Sequence, residues 1–207
     1  MSEYQSILQI DTDAELQKIM RQLNDLPNQL KAPSVLATAL NATANEMKRK
    51  MGQKVRKKYA VTDDRILQEK KRGGMFLERA TGGTLEASLI SKGPMVDVMA
   101  YTTRRNTGTV AAMLKVLNES SMTALEAGGR KAFEATFVNV DENGQRTEHT
   151  AIIQRRGKER LPVKKLLAPA APILYGKSYE EAEMDYYAIL QKHIQRQVER
   201  TLERSAA

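Results

Sequence analysis

The residue types that most often do chemistry are scarce in this chain. Cysteine is absent, which excludes thiol catalysis, disulfide bonds and cysteine-ligated zinc. The two histidines are His149, on a predicted hairpin, and His193, on the apolar face of the last predicted helix. A single histidine at core spacing is more often structural than a ligand, and no metalloprotease, nucleophile-elbow or phosphate-loop motif occurs. The sequence therefore predicts no catalytic residue, no metal ligand and no cofactor site.

Two further patterns have structural interpretations. Asp63-Asp64 could bind a cation, but both residues stand where a helix N-cap is expected. The pairs Gly73-Gly74 and Gly82-Gly83 are too short for a nucleotide loop and lack its lysine. We therefore predict that the protein is not an enzyme.

Positive charge is the one chemical property that the chain has in excess. Its 207 residues carry a formal net charge of +8. One acid-free window contains Arg49, Arg56 and the lysines Lys48, Lys50, Lys54, Lys57 and Lys58. Such a cluster attracts polyanions, although basic helix faces are commonly just solvated. The five lysines are therefore candidates for contacting DNA.

A second basic stretch is combined with prolines. Its candidate residues are Arg155, Arg156, Arg160, Leu161, Pro162, Val163, Lys164, Lys165, Pro169 and Pro172. Proline blocks both a continuing helix and an interior strand, so we expect this segment to cross a surface in extended form. An extended segment with apolar and basic residues suits docking against a partner, and an ordinary surface connection is the alternative. We predict that these residues belong to an assembly interface.

Two long amphipathic helices are expected to frame these stretches. The first runs from about Ala32 to Tyr59, since apolar residues recur there every three or four positions. Its predicted core stripe is Leu36, Leu40, Thr43, Met47, Met51 and Val55. The second runs from Ser178 to Arg204, with Ser178 as N-cap and Glu181 completing a capping box. A shorter helix with Leu16, Leu23 and Leu26 on one face is expected to end at Pro27.

Strands are expected in the middle and late parts of the chain. Asn143-Gly144 predicts a hairpin turn between strands around 133–138 and 147–153, because both turn residues must adopt positive φ. Segments 84–90 and 96–101 alternate as half-buried strands do, with Gly93-Pro94 breaking them apart. Segment 110–117 could be a strand or a short helix. We further expect a short strand at 5–10, a short helix at 65–71, and loops at 102–109 and 120–129.

These elements predict a single α+β domain, in which an antiparallel β-sheet packs against long amphipathic helices. We expect a helical part at 1–72, a β-rich part with the extended proline segment at 73–176, and a C-terminal helix at 177–207. The first residues lack a basic region followed by a long apolar core, and no stretch approaches the ~20 apolar residues of a membrane span. We therefore expect a soluble intracellular product without a membrane partner.

The order of elements resembles the minor tail protein Z family of long-tailed bacteriophages and prophages. The resemblance covers most of the chain and is most specific at the hairpin that passes into 155–166 and then 168–172. Family members look similar there, with arginine and glycine before Leu-Pro-Ile/Val and a Gly-Pro-Ser-Val-Pro-like tail. This chain departs from the family in having Ala168 in place of glycine and Ala170-Ala171 in place of serine-valine. The opening helix with 39–44 and the strand pair at 85–90 and 98–101 add to the resemblance.

The resemblance implies a structural virion protein that is made in the host cytoplasm and assembled into the neck region of a phage tail. Such a protein completes the head-proximal end of the tail tube and takes part in head–tail joining around the DNA channel. Its implied partners are copies of itself in a hexameric ring, together with tail terminator, tail tube or head–tail connector proteins. Double-stranded DNA in the lumen would face Lys48 to Lys58.

A basic nucleic-acid-binding module is the alternative interpretation. The same basic helix supports it, but helix-turn-helix, zinc and RNA-binding patterns are missing, as are interleaved aromatic residues. An enzyme that acts on acidic polymers has almost no support in the sequence.

Overall fold

The computed structural model confirms the α+β fold and describes residues 3–9, 32–106, 110–140, 143–180 and 186–206. The helices are α1 (Ala32–Lys58), α2 (Arg65–Gln68), α3 (Ala171–Glu180) and α4 (Tyr186–Ala206). The strands are β1 (Glu3–Gln9), β2 (Phe76–Glu78), β3 (Ser88–Pro94), β4 (Val96–Asp97), β5 (Thr102–Arg104), β6 (Met113–Lys115), β7 (Thr123–Ala124), β8 (Glu126–Ala127), β9 (Arg130–Lys131), β10 (Phe133–Val140), β11 (Arg146–Arg155), β12 (Val163–Lys165) and β13 (Leu167–Ala168). The predicted helix that contains Leu16 and Leu23 lies outside the described residues.

Helix α1 is the centre of the core. Its predicted stripe is confirmed, because every residue from Leu36 to Val55 in that stripe is at most 1% exposed. Helix α4 packs along α1 with Ile189, Leu190 and Ile194, which are also buried. Spacing of three and four residues puts these side chains on one face, so two long helices bury a continuous apolar seam.

The end of α1 is held by a side chain from a distant loop. The Asn118 side-chain amide donates to the carbonyls of Arg56 and Lys57, at 3.0 and 2.9 Å. The last carbonyls of a helix have no partner within the helix, so this amide acts as a cap. It anchors the loop after β6 against the basic end of α1.

The strands form several small antiparallel sheets rather than one large sheet. Their orders are β1-β3-β2, β10-β11-β12, β13-β4, β5-β6-β7 and β8-β9. The expected break at Gly93-Pro94 is wrong, because β3 continues to Pro94 and pairs along its whole length with β1. Gly93 is needed for a different reason: a Cβ there would lie 2.7 Å from the Gly73 Cα.

The predicted strand at 96–101 is confirmed only for its first two residues. Asp97 accepts a hydrogen bond from the Met99 backbone N–H at 2.9 Å, and a 3₁₀ turn over Val98–Ala100 follows. This side-chain cap offers the backbone a local alternative to a strand ladder. Strand rather than helix forms within 110–117, and short strands also occur within the segments predicted as loops at 102–109 and 120–129.

The predicted hairpin is confirmed. Strands β10 and β11 pair antiparallel, from Phe133 opposite Ile153 to Val140 opposite Arg146. Gly144 in the turn has φ of +80°. β12 adds a third strand to the base of the hairpin. The first part of the proline segment therefore folds back on the hairpin instead of crossing a surface unpaired.

The last part of the proline segment is helical, which corrects the prediction of extended chain. Helix α3 begins at Ala171, so Pro172 lies in the first helical turn, where its missing N–H costs nothing. Ser178 is a buried residue inside α3 and not the N-cap of the last helix. Its predicted capping partner Glu181 lies outside the described residues. The C-terminal helical part, expected at 177–207, therefore begins earlier, with α3 at Ala171.

Candidate assembly and binding surfaces

Asp63 and His149, which the sequence analysis considered as possible chemical groups, line one cleft of about 530 Å³. Asp63 accepts hydrogen bonds from Arg65 Nε at 2.7 Å and Arg72 Nη1 at 3.2 Å. The bond from Arg65, above all, lowers the pKa of the Asp63 carboxyl. His149 Nε2 accepts from Lys165 Nζ at 3.0 Å, and that ammonium pairs with Asp97 at 2.8 Å. Both carboxylates of the cleft, Asp63 and Asp97, are therefore already paired with cations.

His193 is a structural residue between the two long helices. Its Nε2 lies 2.9 Å from Glu46 Oε2, and both side chains are largely buried. The hydrogen bond from His193 is the main cause that lowers the pKa of Glu46. A carboxylate can only accept, so the imidazole donates, and the pair ties α4 to α1.

The described residues also bear on metal sites and membrane spans. Among those residues, no cluster of three or more histidine, aspartate and glutamate side chains could hold a metal ion. None of the helices in the described ranges has the length and apolar character needed to cross a bilayer.

The five lysines of α1 do not form one surface. Lys50, Lys54 and Lys57 recur at i, i+4 and i+7 and lie on one flank of the helix. Lys48 points about 160° away from Lys50, since each residue turns the helix by about 100°. Lys58 lies at the helix end beside an apolar groove. The structure therefore groups three of the predicted DNA-facing residues and separates the other two.

The predicted interface residues around β12 form one exposed loop and strand. They are Arg155, Arg156, Arg160, Leu161, Pro162, Lys164 and Lys165, with Val163 half-buried. Leu161 is the most exposed large apolar residue in the described ranges, at 66%. The loop closes on itself, because the Arg156 N–H donates to the Pro162 carbonyl at 3.0 Å.

The two later prolines, Pro169 and Pro172, contact other parts of the same fold. The carbonyl of Pro169, which is half-buried, accepts a hydrogen bond from the Tyr101 hydroxyl at 2.8 Å. Pro172 is buried against Gly73. Pro172 is therefore not an exposed contact residue, contrary to its place in the predicted interface.

The hairpin arm, defined as residues 137–140 and 146–149, is an exposed surface that the sequence prediction did not include. Phe137, Val138 and Val140 are 39, 54 and 59% exposed. Consecutive strand residues point to opposite faces, so Phe137 and Val138 leave an apolar side chain on each face. The signal was present in the sequence, because a strand with one solvated face should alternate apolar and polar residues, and Phe137-Val138 does not.

An apolar groove of about 540 Å³ lies between the end of α1, β6 and α3. Leu114, Leu117 and Ile173 contribute to its walls. Lys58 and Lys177 add positive charge. Because the groove has apolar walls with lysines beside them, it could accept an apolar segment that carries a nearby acid.

Comparisons with protein-family models, curated proteins and solved structures find no match for this chain. The family resemblance therefore stays a prediction, and the surfaces themselves carry the functional argument.

Proposed function

We propose that this protein is a structural component of a phage virion, located in the neck region of the tail. It completes the head-proximal end of the tail tube and takes part in head–tail joining around the DNA channel. The observation that carries this proposal is the hairpin arm, with apolar side chains exposed on both faces. The resemblance to the minor tail protein Z family is the reason for placing the protein in the neck of a phage tail.

An arm of this kind favours a protein partner. A two-stranded hairpin is only marginally stable alone in water. Solvating apolar side chains on both faces costs further free energy, and contiguous exposed apolar surface marks interaction sites. The partner is expected to cover Phe137 and Val138 on their opposite faces.

The partner that fits best is a second copy of this chain. Glu148 lies directly opposite Val138 in the hairpin register, so the arm presents an acid beside its apolar residues. The groove presents Lys177 beside Leu117 and Ile173. The apolar side chains of the arm therefore match the apolar walls of the groove, and Glu148 can pair with Lys177, while Arg146 opposite Val140 is left outside this pairing. An arm-to-groove contact is heterologous, and a heterologous contact builds a ring when its rotation closes.

The basic loop at 155–165 is proposed as a second contact surface, toward the tail terminator, tail tube or connector proteins. Its exposed Leu161 is flanked by Arg156 and Arg160. Arginine is enriched at protein interfaces, and their rims are polar, so this loop has a composition that suits the edge of an interface. Neither contact requires catalysis.

The arm–groove contact is tested with two complementary variants. Wild type is expected to form rings in electron micrographs and a multimer by light scattering. A triple change of Phe137, Val138 and Val140 to threonine keeps β-propensity but removes the apolar cover, and should give folded monomers. Leu117→Glu in the groove should do the same. Mixing the two variants restores one intact arm and one intact groove, so dimers are expected.

A control and two outcomes decide this test. Val110→Thr makes a similar change at a residue that is 51% exposed outside the arm, and should leave rings intact. Monomeric wild type, or variants that still form rings, would overturn self-assembly through the arm. Failure of the mixed variants to associate would exclude the groove as the receiving site.

Head–tail joining is tested by charge reversal. Phage particles assembled with Arg156→Glu, Arg160→Glu and Lys164→Glu should contain unjoined heads and tails, while the isolated variant keeps its melting temperature. The control reverses two exposed arginines on α4, Arg196 and Arg200, and should join normally. Normal joining by the loop variant contradicts the role of this loop.

A further inference from the structure

A second cleft, of about 440 Å³, lies beside the base of the hairpin. Its lining residues are Gly129, Arg130, Lys131, Phe133, Arg155, Gly157 and Lys158. Four of the seven carry a positive charge and none carries a negative charge. This grouping is absent from the sequence prediction, which assigned Arg155 to an assembly interface and did not consider Arg130 or Lys131.

The fold brings the two arginines together through a tight turn and one buried amide. Gly128 and Gly129 have φ of +61° and +70°, the conformation of a two-residue hairpin turn between β8 and β9. Gln154, which is 3% exposed, donates from Nε2 to the Arg130 carbonyl at 2.6 Å. The amide fixes β9 against β11, and Arg130 therefore faces the same cleft as Arg155.

Little of this positive charge is balanced by the part of the chain that the structure describes. Among the described residues, Arg130, Arg155 and Lys158 form no ion pair. Glu134, next to Phe133, already pairs with Arg105 at 3.1 Å. Lys131 lies opposite Glu126 in the β8–β9 register, so its charge adds less to the unbalanced positive charge of the cleft. Cations held together in this way create a potential that an anionic ligand would relieve.

We propose that this cleft, the basic cleft, binds the phosphodiester backbone of double-stranded nucleic acid. Guanidinium groups match phosphate oxygens with paired N–H donors, and the cleft supplies two of them beside a lysine. Single strands are usually held by aromatic side chains on which bases stack. The one aromatic residue of the cleft, Phe133, lies under Arg155, with 5.8 Å from the ring centroid to the guanidinium carbon. The composition thus favours backbone contact over stacking.

The basic cleft replaces α1 as the principal candidate for contacting DNA. Lys50 and Lys54 on α1 are half-buried and already have partners. The four cationic residues of the cleft are exposed and line one concave surface. Arg155 and Lys158 belong to the basic loop at 155–165, and this inference assigns them to DNA while Arg156, Arg160 and Lys164 keep the contact with tail proteins. DNA binding by the isolated chain, ring formation and head–tail joining are separate measurements, so each proposal can fail without the others.

The experiment measures binding of the full-length protein to a short fluorescent DNA duplex of mixed sequence, as a function of salt. Three phosphate contacts predict a slope of about −3 in log affinity against log salt concentration. The variant Arg155→Gln with Lys158→Gln should weaken binding and reduce that slope by about 2. Arg196→Gln with Arg200→Gln is the matched control and should bind as wild type. A triple change of Lys50, Lys54 and Lys57 to glutamine tests the rival surface.

Each other outcome overturns the proposal. Wild type that fails to bind the duplex at low salt shows that the cleft is merely solvated. Loss of binding in the α1 variant, with the cleft variant unaffected, assigns DNA to α1. Equal losses in all three variants indicate diffuse attraction by net charge. Stronger binding of single-stranded competitor contradicts recognition of the duplex.

A single variant, Lys158→Gln, guards against loss of fold as the cause of weaker binding. It alters one exposed loop side chain, so the protein should stay folded and the salt slope should fall by about 1.

Discussion

Helix α1 and the hairpin arm are both rich in apolar residues, but their surroundings differ completely. The stripe of α1 is at most 1% exposed, because α4, α3 and β3 pack around it. Phe137, Val138 and Val140 of the arm stay exposed. The same residue types thus stabilise the monomer in one region and are available to a partner in the other.

The comparison separates stability from assembly. Changes in the seam around α1 should lower the free energy of unfolding and affect assembly only through lost fold. Changes in the arm should leave that free energy almost unaltered and remove self-association. Four substitutions measure how sharp this division is.

The largest effect is expected for Met47→Ala in the centre of the α1 stripe. Met47 is 0% exposed, so its truncation loses buried apolar area and leaves a cavity, at a cost of about 2–5 kcal/mol. Urea denaturation followed by circular dichroism measures the change. Val138→Ala in the arm is the control, with little change expected. A loss below about 1 kcal/mol at Met47 would contradict a core centred on α1.

Tyr175→Phe should have the next largest effect. The Tyr175 hydroxyl is buried and donates to the Leu67 carbonyl at 3.0 Å, so its removal leaves that acceptor unsatisfied at a cost of about 1–3 kcal/mol. Burial also raises the pKa of Tyr175 from 10.0 to about 12. The folded state therefore keeps its proton more tightly than the unfolded chain. Wild-type stability should fall as pH rises from about 10 to about 12, and less steeply in Tyr175→Phe.

The same measurement decides whether Tyr175 acts as described. Unfolding free energies of both proteins are compared at neutral pH and across the alkaline window. Parallel pH curves would show that the Tyr175 hydroxyl ionises as readily in the folded state as in the unfolded chain. Tyr101 and Tyr186 also have pKa values raised by burial, so part of the alkaline loss remains in the variant.

Glu46→Gln should cost less, about 1 kcal/mol, because the amide keeps the volume but weakens the hydrogen bond from His193. The pKa of Glu46 is lowered from 4.5 in the folded state, so its carboxylate contributes stability above that pH. The advantage of wild type over the variant should disappear as pH falls below about 4.5. An advantage that persists in acid would show that the charge of Glu46 is irrelevant.

The smallest effect on stability is expected for Phe137→Thr in the arm. Threonine keeps β-propensity, and Phe137 lies on the surface with 39% of its area exposed, so the unfolding free energy should change by no more than about 0.5 kcal/mol. Light scattering of the same sample should show weakened self-association. A large loss of stability would mean that the arm packs on its own chain, which erases the contrast with α1.

Much of the local structure could be predicted because it depends on short-range rules. The stripe on α1 follows from helical period, and the turn at Asn143-Gly144 from the need for positive φ. The same rules failed where a contact from elsewhere prevailed. Pro172 lies in the first turn of a helix that packs on Gly73, and Gly93 lies inside a strand because β1 pairs along it.

The candidate sites divide in the same way. The acid-free run at 48–58 and the basic run at 155–165 are visible in the sequence, as is the apolar character of 137–140 on both strand faces. The helical period already places Lys48 and Lys50 on different sides of α1. The sequence could not tell that Arg130 joins Arg155 across a buried glutamine. Period and turn chemistry act over a few residues, so the chain itself decides which elements form. Which charges meet depends on packing between residues far apart in sequence, and only the tertiary structure decides that.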